Sequence, residues 1–171
     1  MAAFSITSRP GESDALDLDH ETMPYAGKFG MESTGTAILE EGDDIVAALS
    51  FSPDRTDALC CRIRYLSVSR EHQGTGLVGR LVEAFMEWAL GDGYRTIKIT
   101  IINPFAVVAL DRLGFGYTGT VGPSGGVELR YPSEDVESVE SALATLDERS
   151  LAEEHHRYIR RYLEEPDTDR E

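Results

Sequence analysis

In the stretch HQGTGLVGRL, residues 72–81, Gly74, Gly76 and Gly79 are spaced as G-x-G-x-x-G. Glycine there lets backbone N–H groups come close to a phosphate, and an apolar helix starting directly behind adds its positive dipole end. Two well-known phosphate loops are excluded by the surroundings. A dinucleotide fold needs its glycines directly after a strand and a carboxylate at the end of the next strand. Here Ser69 to Gln73 intervene after Val68, and the next strand closes on Ile101, Ile102 and Asn103. A P-loop needs Lys and a hydroxyl after its last glycine, where this chain has Arg80 and Leu81. The glycines alone are a weak signal, and what they retain is the physics of a backbone anion site.

The elements that must position this turn follow from periodicity. Residues 34–52 read as a hairpin turning at Glu41-Gly42-Asp43. The run ALCCRIRYLSV reads as a long strand whose alternation puts Ile63 and Tyr65 on one face and Arg62 and Arg64 on the other. Leu77, Leu81, Val82, Phe85, Trp88 and Ala89 form the apolar stripe of a helix that stops at Gly91-Asp92-Gly93. TIKITII is a strand. A short helix follows, with Asn103 as its cap, Pro104 at its first position and Gly114 at its end. A last hairpin turns around Gly122 to Gly126. From Ser133 the composition shifts to Glu, Ala, Leu and Arg, with Val136, Val139, Leu143 and Leu146 at helical spacing and a further segment from Leu151 to Leu163. Glu12 to Met31 predicts one or two short helices, and the tail from Glu164 a frayed end.

A chain of 171 residues supports one domain and a helical appendage, divided here as 1–132 and 133–171. The net charge is −15, from 31 acidic and 16 basic residues, and only Lys28 and Lys98 are lysines. Such a surface suits concentrated salt, where screening makes self-repulsion cheap, and predicts a halophilic host. It disfavours nucleic acid, because no basic stripe can release counterions. No apolar run is long enough to span a bilayer and the first residues have no signal-peptide pattern, so the expectation is a cytoplasmic protein without membrane association. Cys60 and Cys61 are adjacent and point to opposite faces of their strand, which argues against a disulfide. No zinc spacing is present, and His155-His156, side by side on a helix, read as solvated surface rather than a metal site. No metal is expected.

Strand, polar turn, Gln73-x-x-Gly76, apolar helix, strand and an Asn-initiated helix ending in Leu113-Gly114-Phe115 together resemble the GNAT superfamily of acyl-CoA-dependent N-acyltransferases, most clearly over residues 60–118. The resemblance implies an α/β (α+β) fold: a mixed, mostly antiparallel sheet flanked by helices, with a splayed central strand pair. It implies acetyl-CoA as co-substrate, its diphosphate held by the turn amides of Gln73, Gly74, Thr75, Gly76, Leu77 and Val78. Its pantetheine arm would pair with Leu66, Ser67 and Val68, and Asn103 would contact the arm. Two positions depart from the family pattern. Val78 stands where a second small residue is usual, with Gly79 one step late. Leu110 stands where the family often has a tyrosine that protonates the departing thiolate.

The activity implied is acetyl transfer to a primary amine, on a small molecule or a protein, by direct attack in a ternary complex. A thiolate leaves near neutral pH without full protonation, since a thiol pKa lies near about 8.5. A strand amide around Val68 would polarise the carbonyl. His72 and Glu32 are the candidate general bases, and Tyr117 or Tyr65 the candidate replacement acids. A homodimer is a candidate assembly. The alternative from another class is a non-catalytic acyl-CoA-binding sensor or subunit, which Leu110 favours and an intact diphosphate turn does not oppose.

Overall fold

A computed structural model describes residues 3–7, 35–72, 74–133 and 137–164. It divides into two compact units, Met1–Lys98 and Ile99–Glu171.

In the first unit four strands pair antiparallel in sequence order: β1 (Ala3–Thr7), β2 (Gly35–Glu41), β3 (Asp44–Pro53) and β4 (Cys60–Val68). The β2–β3 turn is Gly42-Asp43, and Gly42 takes φ 65, a left-handed conformation that glycine adopts without strain. Helix α1 (Leu77–Gly91) packs on β2, β3 and β4. Phe51 of β3 meets the helix at Phe85 and Trp88, with ring centroids 5.0 and 5.1 Å apart. Around them Leu49, Ile63, Leu81, Val82, Phe85 and Ala89 are buried. Each large apolar side chain there contributes about 1.5–3 kcal/mol through removal from water. The helix stripe is the one its spacing predicts.

The faces of β4 are not. Ser50 pairs with Tyr65, but the next residue, Phe51, pairs with Ile63, so Arg64 is an extra residue in β4. Cross-strand partners share a face, so this bulge reverses the alternation: Ile63 lies with Phe51 on the helix side, while Tyr65 lies with Ser50 on the other. The expected pairing of Ile63 with Tyr65 is therefore wrong. The gain is apolar burial, because Leu66 and Val68, opposite Leu49 and Ala47, return to the helix side. Arg64 directs its Nε to Ser52 Oγ at 2.8 Å. On this second face Ser50 is fully buried, and its hydroxyl has no hydrogen-bond partner among the described residues. A second bulge leaves Val46 of β3 unpaired with β2.

Strand β5 (Thr96–Ile101) carries the chain into the second unit. There α2 (Pro104–Arg112) is followed by the hairpin β6 (Gly116–Val121) and β7 (Val127–Tyr131), then by α3 (Val139–Arg149) and α4 (Glu153–Glu164). Gly114 ends the α2 region at φ 100. At the β6–β7 turn, a Cβ on Gly122 would come within 2.9 Å of Thr100 Cγ2, and one on Gly126 within 3.1 Å of the Ile101 carbonyl oxygen, so a side chain at either site forces its neighbours to shift. Helix α3 packs on α2, β6 and β7, and α4 on α2 and α3. The residues from 133 onward are thus built into a core: Leu143 and Ile159 are fully buried, as are Val107 and Leu110 of α2. Glu137 N–H donates to the Tyr117 carbonyl at 2.8 Å, tying the start of this segment to β6. The helices expected in Glu12–Met31, Val136 and the terminal tail lie outside the described residues.

Candidate functional site

Gly74 and Gly76 both take φ 81, and no atom would meet a Cβ at either, so chirality rather than space calls for glycine. Gly76 is the N-cap of α1 and has no side chain to cap it. The first N–H to close is that of Arg80, onto the Gly76 carbonyl at 3.2 Å. The amides of Leu77, Val78 and Gly79 therefore have no helical carbonyl to reach. No acidic residue occupies this first turn, although the chain carries 31. Within that turn no carboxylate compensates the positive end of the helix, which suits an anion. Gly74, Thr75 and Gly76 are exposed, so the turn is open to a ligand. Val78 sits inside the helix without distorting it, and Gly79 has open space where its Cβ would be.

The base of the turn is held by His72, in a short 3-10 turn, Arg70–His72. Its carbonyl accepts from both the N–H and the hydroxyl of Thr75. Its ring lies between two partners: Nδ1 is 2.7 Å from Ser69 Oγ, and Nε2 is 3.7 Å from Glu41 Oε2. A carboxylate facing Nε2 favours the tautomer with the proton there, which leaves Nδ1 to accept the Ser69 hydroxyl. Ser69 N–H donates in turn to the carbonyl of Val46, the bulged residue of β3. Glu41 was not identified from the sequence, because its approach depends on the β2–β3 register.

Leu66, Ser67 and Val68 form the end of β4, opposite Leu49, Ala48 and Ala47. The strand end, His72 and the glycine turn are thus consecutive along one stretch of the first unit. Asn103 and Tyr117 belong to the second. Asn103 is exposed and caps α2, its Oδ1 accepting from Phe105 N–H at 2.9 Å. The cap uses only the oxygen, so the side-chain NH₂ can donate elsewhere. Tyr117 is buried in β6 beside Leu129, at 3% exposure. Leu110 is fully buried. Gln73 and Glu32 lie outside the described residues.

The adjacent histidines are not solvated surface: both are half-buried, His155 with Nδ1 3.3 Å from Ser150 Oγ and His156 bonded to Asp147 across the α3–α4 linker. Cys60 and Cys61 are free and buried. Burial pushes the Cys61 thiol up to about 12, which makes it a poor nucleophile.

Residues 4–115 match the Acetyltransferase (GNAT) family. The chain belongs to that family. No curated protein matches it in sequence. Among solved structures it is similar to a Bacillus subtilis acetyltransferase in complex with CoA, at TM-score 0.62 and 16% identity over 76% of this chain and 97% of that one. Tetrahymena GCN5 superposes at TM-score 0.59 and 15% identity, over 78% of this chain and 99% of that one. An IAA acetyltransferase from Bacillus cereus gives 0.56 and 14%, over 75% and 98%. At these identities the likeness is one of fold, the α/β fold of GNAT enzymes with its sheet flanked by helices. Among the described residues no helix is long and apolar enough to cross a membrane.

Proposed function

We propose that this GNAT enzyme transfers the acetyl group of acetyl-CoA to a primary amine, which attacks the thioester directly in a ternary complex. The observation that carries the reading is the uncapped, acid-free N-terminus of α1 behind two left-handed glycines. Acetyl-CoA, when bound, supplies the activated acyl carbon and a thiolate leaving group. The amides from Gly74 to Val78, continued by Gln73, hold the diphosphate. Leu66, Ser67 and Val68 offer backbone groups to the pantetheine arm, and an amide near Val68 donates to the thioester carbonyl as negative charge develops there. Asn103 donates its free NH₂ to the arm while its oxygen keeps the cap.

The attacking amine must lose a proton. His72 takes it at Nδ1 by way of the Ser69 hydroxyl, and the Glu41 carboxylate faces the imidazolium that results. Glu32 is the second candidate base and Tyr117 the candidate acid. The thiolate departs without either, since its conjugate acid has a pKa of about 8.5. The acidic, lysine-poor surface supports a salt-rich cytoplasm as the setting, and the acceptor is a small-molecule or protein amine.

Gly76→Asp tests this reading against Gly76→Asn. Both side chains tolerate the left-handed conformation to a similar degree, so the pair isolates the charge. Calorimetry is expected to show CoA binding abolished by Asp and largely retained by Asn. Equal affinity in the two variants would sink the diphosphate assignment. A wild-type chain that binds acetyl-CoA yet releases no thiol with any amine would overturn the transfer itself.

A further inference from the structure

Within the second unit a groove of about 570 Å³ opens between the end of β5, the β6–β7 turn and the α3–α4 linker, and its lining residues run from Ile102 to His155. Ile102, Leu146 and Leu151 give it apolar walls. Arg149 and His155 are its only ionisable lining residues, and no carboxylate lines it, in a chain whose acids outnumber its basic residues by 31 to 16. Arg149 is exposed and forms no ion pair with any described residue. Its stem runs past the β6–β7 turn, where a Cβ on Gly125 would stand 3.9 Å from Arg149 Cδ. Asp147 is engaged by His156, while Glu148, Glu153 and Glu154 are exposed and outside the lining. Ser150 Oγ accepts from Ala152 N–H at 3.1 Å, which leaves its own O–H to donate to His155 Nδ1 at 3.3 Å. The ring proton then sits on Nε2, which has no hydrogen-bond partner among the described residues.

We propose that this groove binds a small monocarboxylate with an apolar body, its carboxylate on Arg149 and His155 Nε2 and its body against Ile102, Leu146 and Leu151. The site is contained in the second unit and depends neither on the glycine turn nor on acetyl-CoA. Ligand sites of this size are mostly apolar with a few placed polar groups, and the groove has that make-up. Charge selects the headgroup. A planar guanidinium matches one carboxylate through two parallel N–H···O bonds, and the imidazole N–H adds a third donor. A phosphomonoester carries about −1.5 to −2 at neutral pH, which a single guanidinium beside a neutral ring leaves partly uncompensated. Leu151 selects the body. It is 100% exposed, yet its linker is held on both sides, by His155 on Ser150 and by His156 on Asp147, so a large apolar side chain is kept in water by a fixed backbone. A ligand body laid against it takes that surface out of water, which a bare anion cannot do. The bound acid would tie the α3–α4 linker to the β6–β7 turn, and so acts as an effector that stabilises the second unit.

The test is calorimetry on the full chain at fixed salt and without nucleotide, using phenylacetate and octanoate as probes, each beside its uncharged amide, with acetate as the control that lacks a body. Wild type is expected to bind at least one of the two longer acids saturably, and about 10–100-fold more tightly than its amide, the range of a charged hydrogen-bonded contact. Arg149→Ala should bind acid and amide alike, with its affinity for the amide unchanged, and Arg149→Lys should regain part of the preference. Leu151→Ser should weaken acid and amide by the same factor and leave the preference intact. Arg149 and Leu151 are both exposed, so these variants are expected to fold, and a melt without ligand checks it. No saturable binding of either longer acid to wild type overturns the proposal, as does an Arg149→Ala variant that keeps the preference. Acetate bound as tightly as the longer acids would mean an exposed cation and nothing more, and overturns it too.

Discussion

Asp54 accepts from the Thr56 hydroxyl at 2.7 Å and from Arg62 Nε at 3.2 Å, and these bonds, Thr56 foremost, lower its pKa from 3.8 to about 2. A carboxyl depressed by folding stabilises the protein above its unfolded value and loses that contribution as pH falls from about 4 through about 2. Asp54→Asn should therefore lower stability at pH 7 and flatten the acid limb of a melting-temperature profile; an unchanged limb would contradict the assignment. Asp111 works in the opposite sense. Burial first, and the nearby Glu140 second, raise its pKa, so the folded state favours the protonated form and loses stability as pH rises past the ordinary carboxylate range. Asp111→Asn is expected to melt no lower than wild type at neutral pH. Leu110 is a different kind of residue, since it does no titrating. A tyrosine placed at that closed position overpacks the core by about 1–3 kcal/mol, so Leu110→Tyr should melt lower and release thiol no faster. A stable variant with a higher rate would show that an acid there can reach the leaving group.

Between residue and fold lie the features that periodicity renders well or badly. Helix α1, the Gly42-Asp43 turn and the Asn103-Pro104 start of α2 were legible because each is decided by a few neighbouring residues: an apolar stripe, a left-handed glycine, a cap. The glycine turn was legible for the same reason. Glu41 beside His72 was not, because a two-strand register brings them together. Nor was the bulge in β4, although its trace is present: Cys61 and Ile63 keep one parity while Leu66 and Val68 keep the other, and all four are apolar. An apolar pattern that slips by one residue mid-strand is the signature of an inserted residue. The close packing at the β6–β7 turn also escaped a reading of the glycines as simple turn formers. Thr100 Cγ2 alone presses on Gly122, whereas the Ile101 carbonyl also presses on Gly126. Thr100→Ser removes that methyl group, so it should rescue Gly122→Ala but relieve Gly126→Ala only in part. A double-mutant cycle by urea unfolding should give a coupling of about 0.5–3 kcal/mol for the first pair and a smaller one for the second, where the carbonyl contact stays.

At the scale of the molecule, the acidic C-terminal segment is a source of stability. Deleting residues 133–171 removes Leu143, Leu146 and Ile159 from burial, at about 1.5–3 kcal/mol each, against a typical domain stability of about 5–15 kcal/mol. The truncated chain should melt far lower by circular dichroism; a melt like that of the full chain would mean that these side chains contribute little. The amides at Leu77–Gly79 open a helix whose first turn carries no carboxylate, in a chain of net charge −15. A polyanionic substrate must cross a repelling field before it meets those amides. At about 0.1 M salt that field reaches some 10 Å from the surface, and at about 1 M some 3 Å. Encounter, rather than affinity, is where this acts: stopped-flow association of CoA should speed up as potassium chloride is raised, the reverse of the usual salt effect on phosphate capture. The enzyme would then be slowest to find its substrate in dilute buffer, and salt would set the tempo of capture.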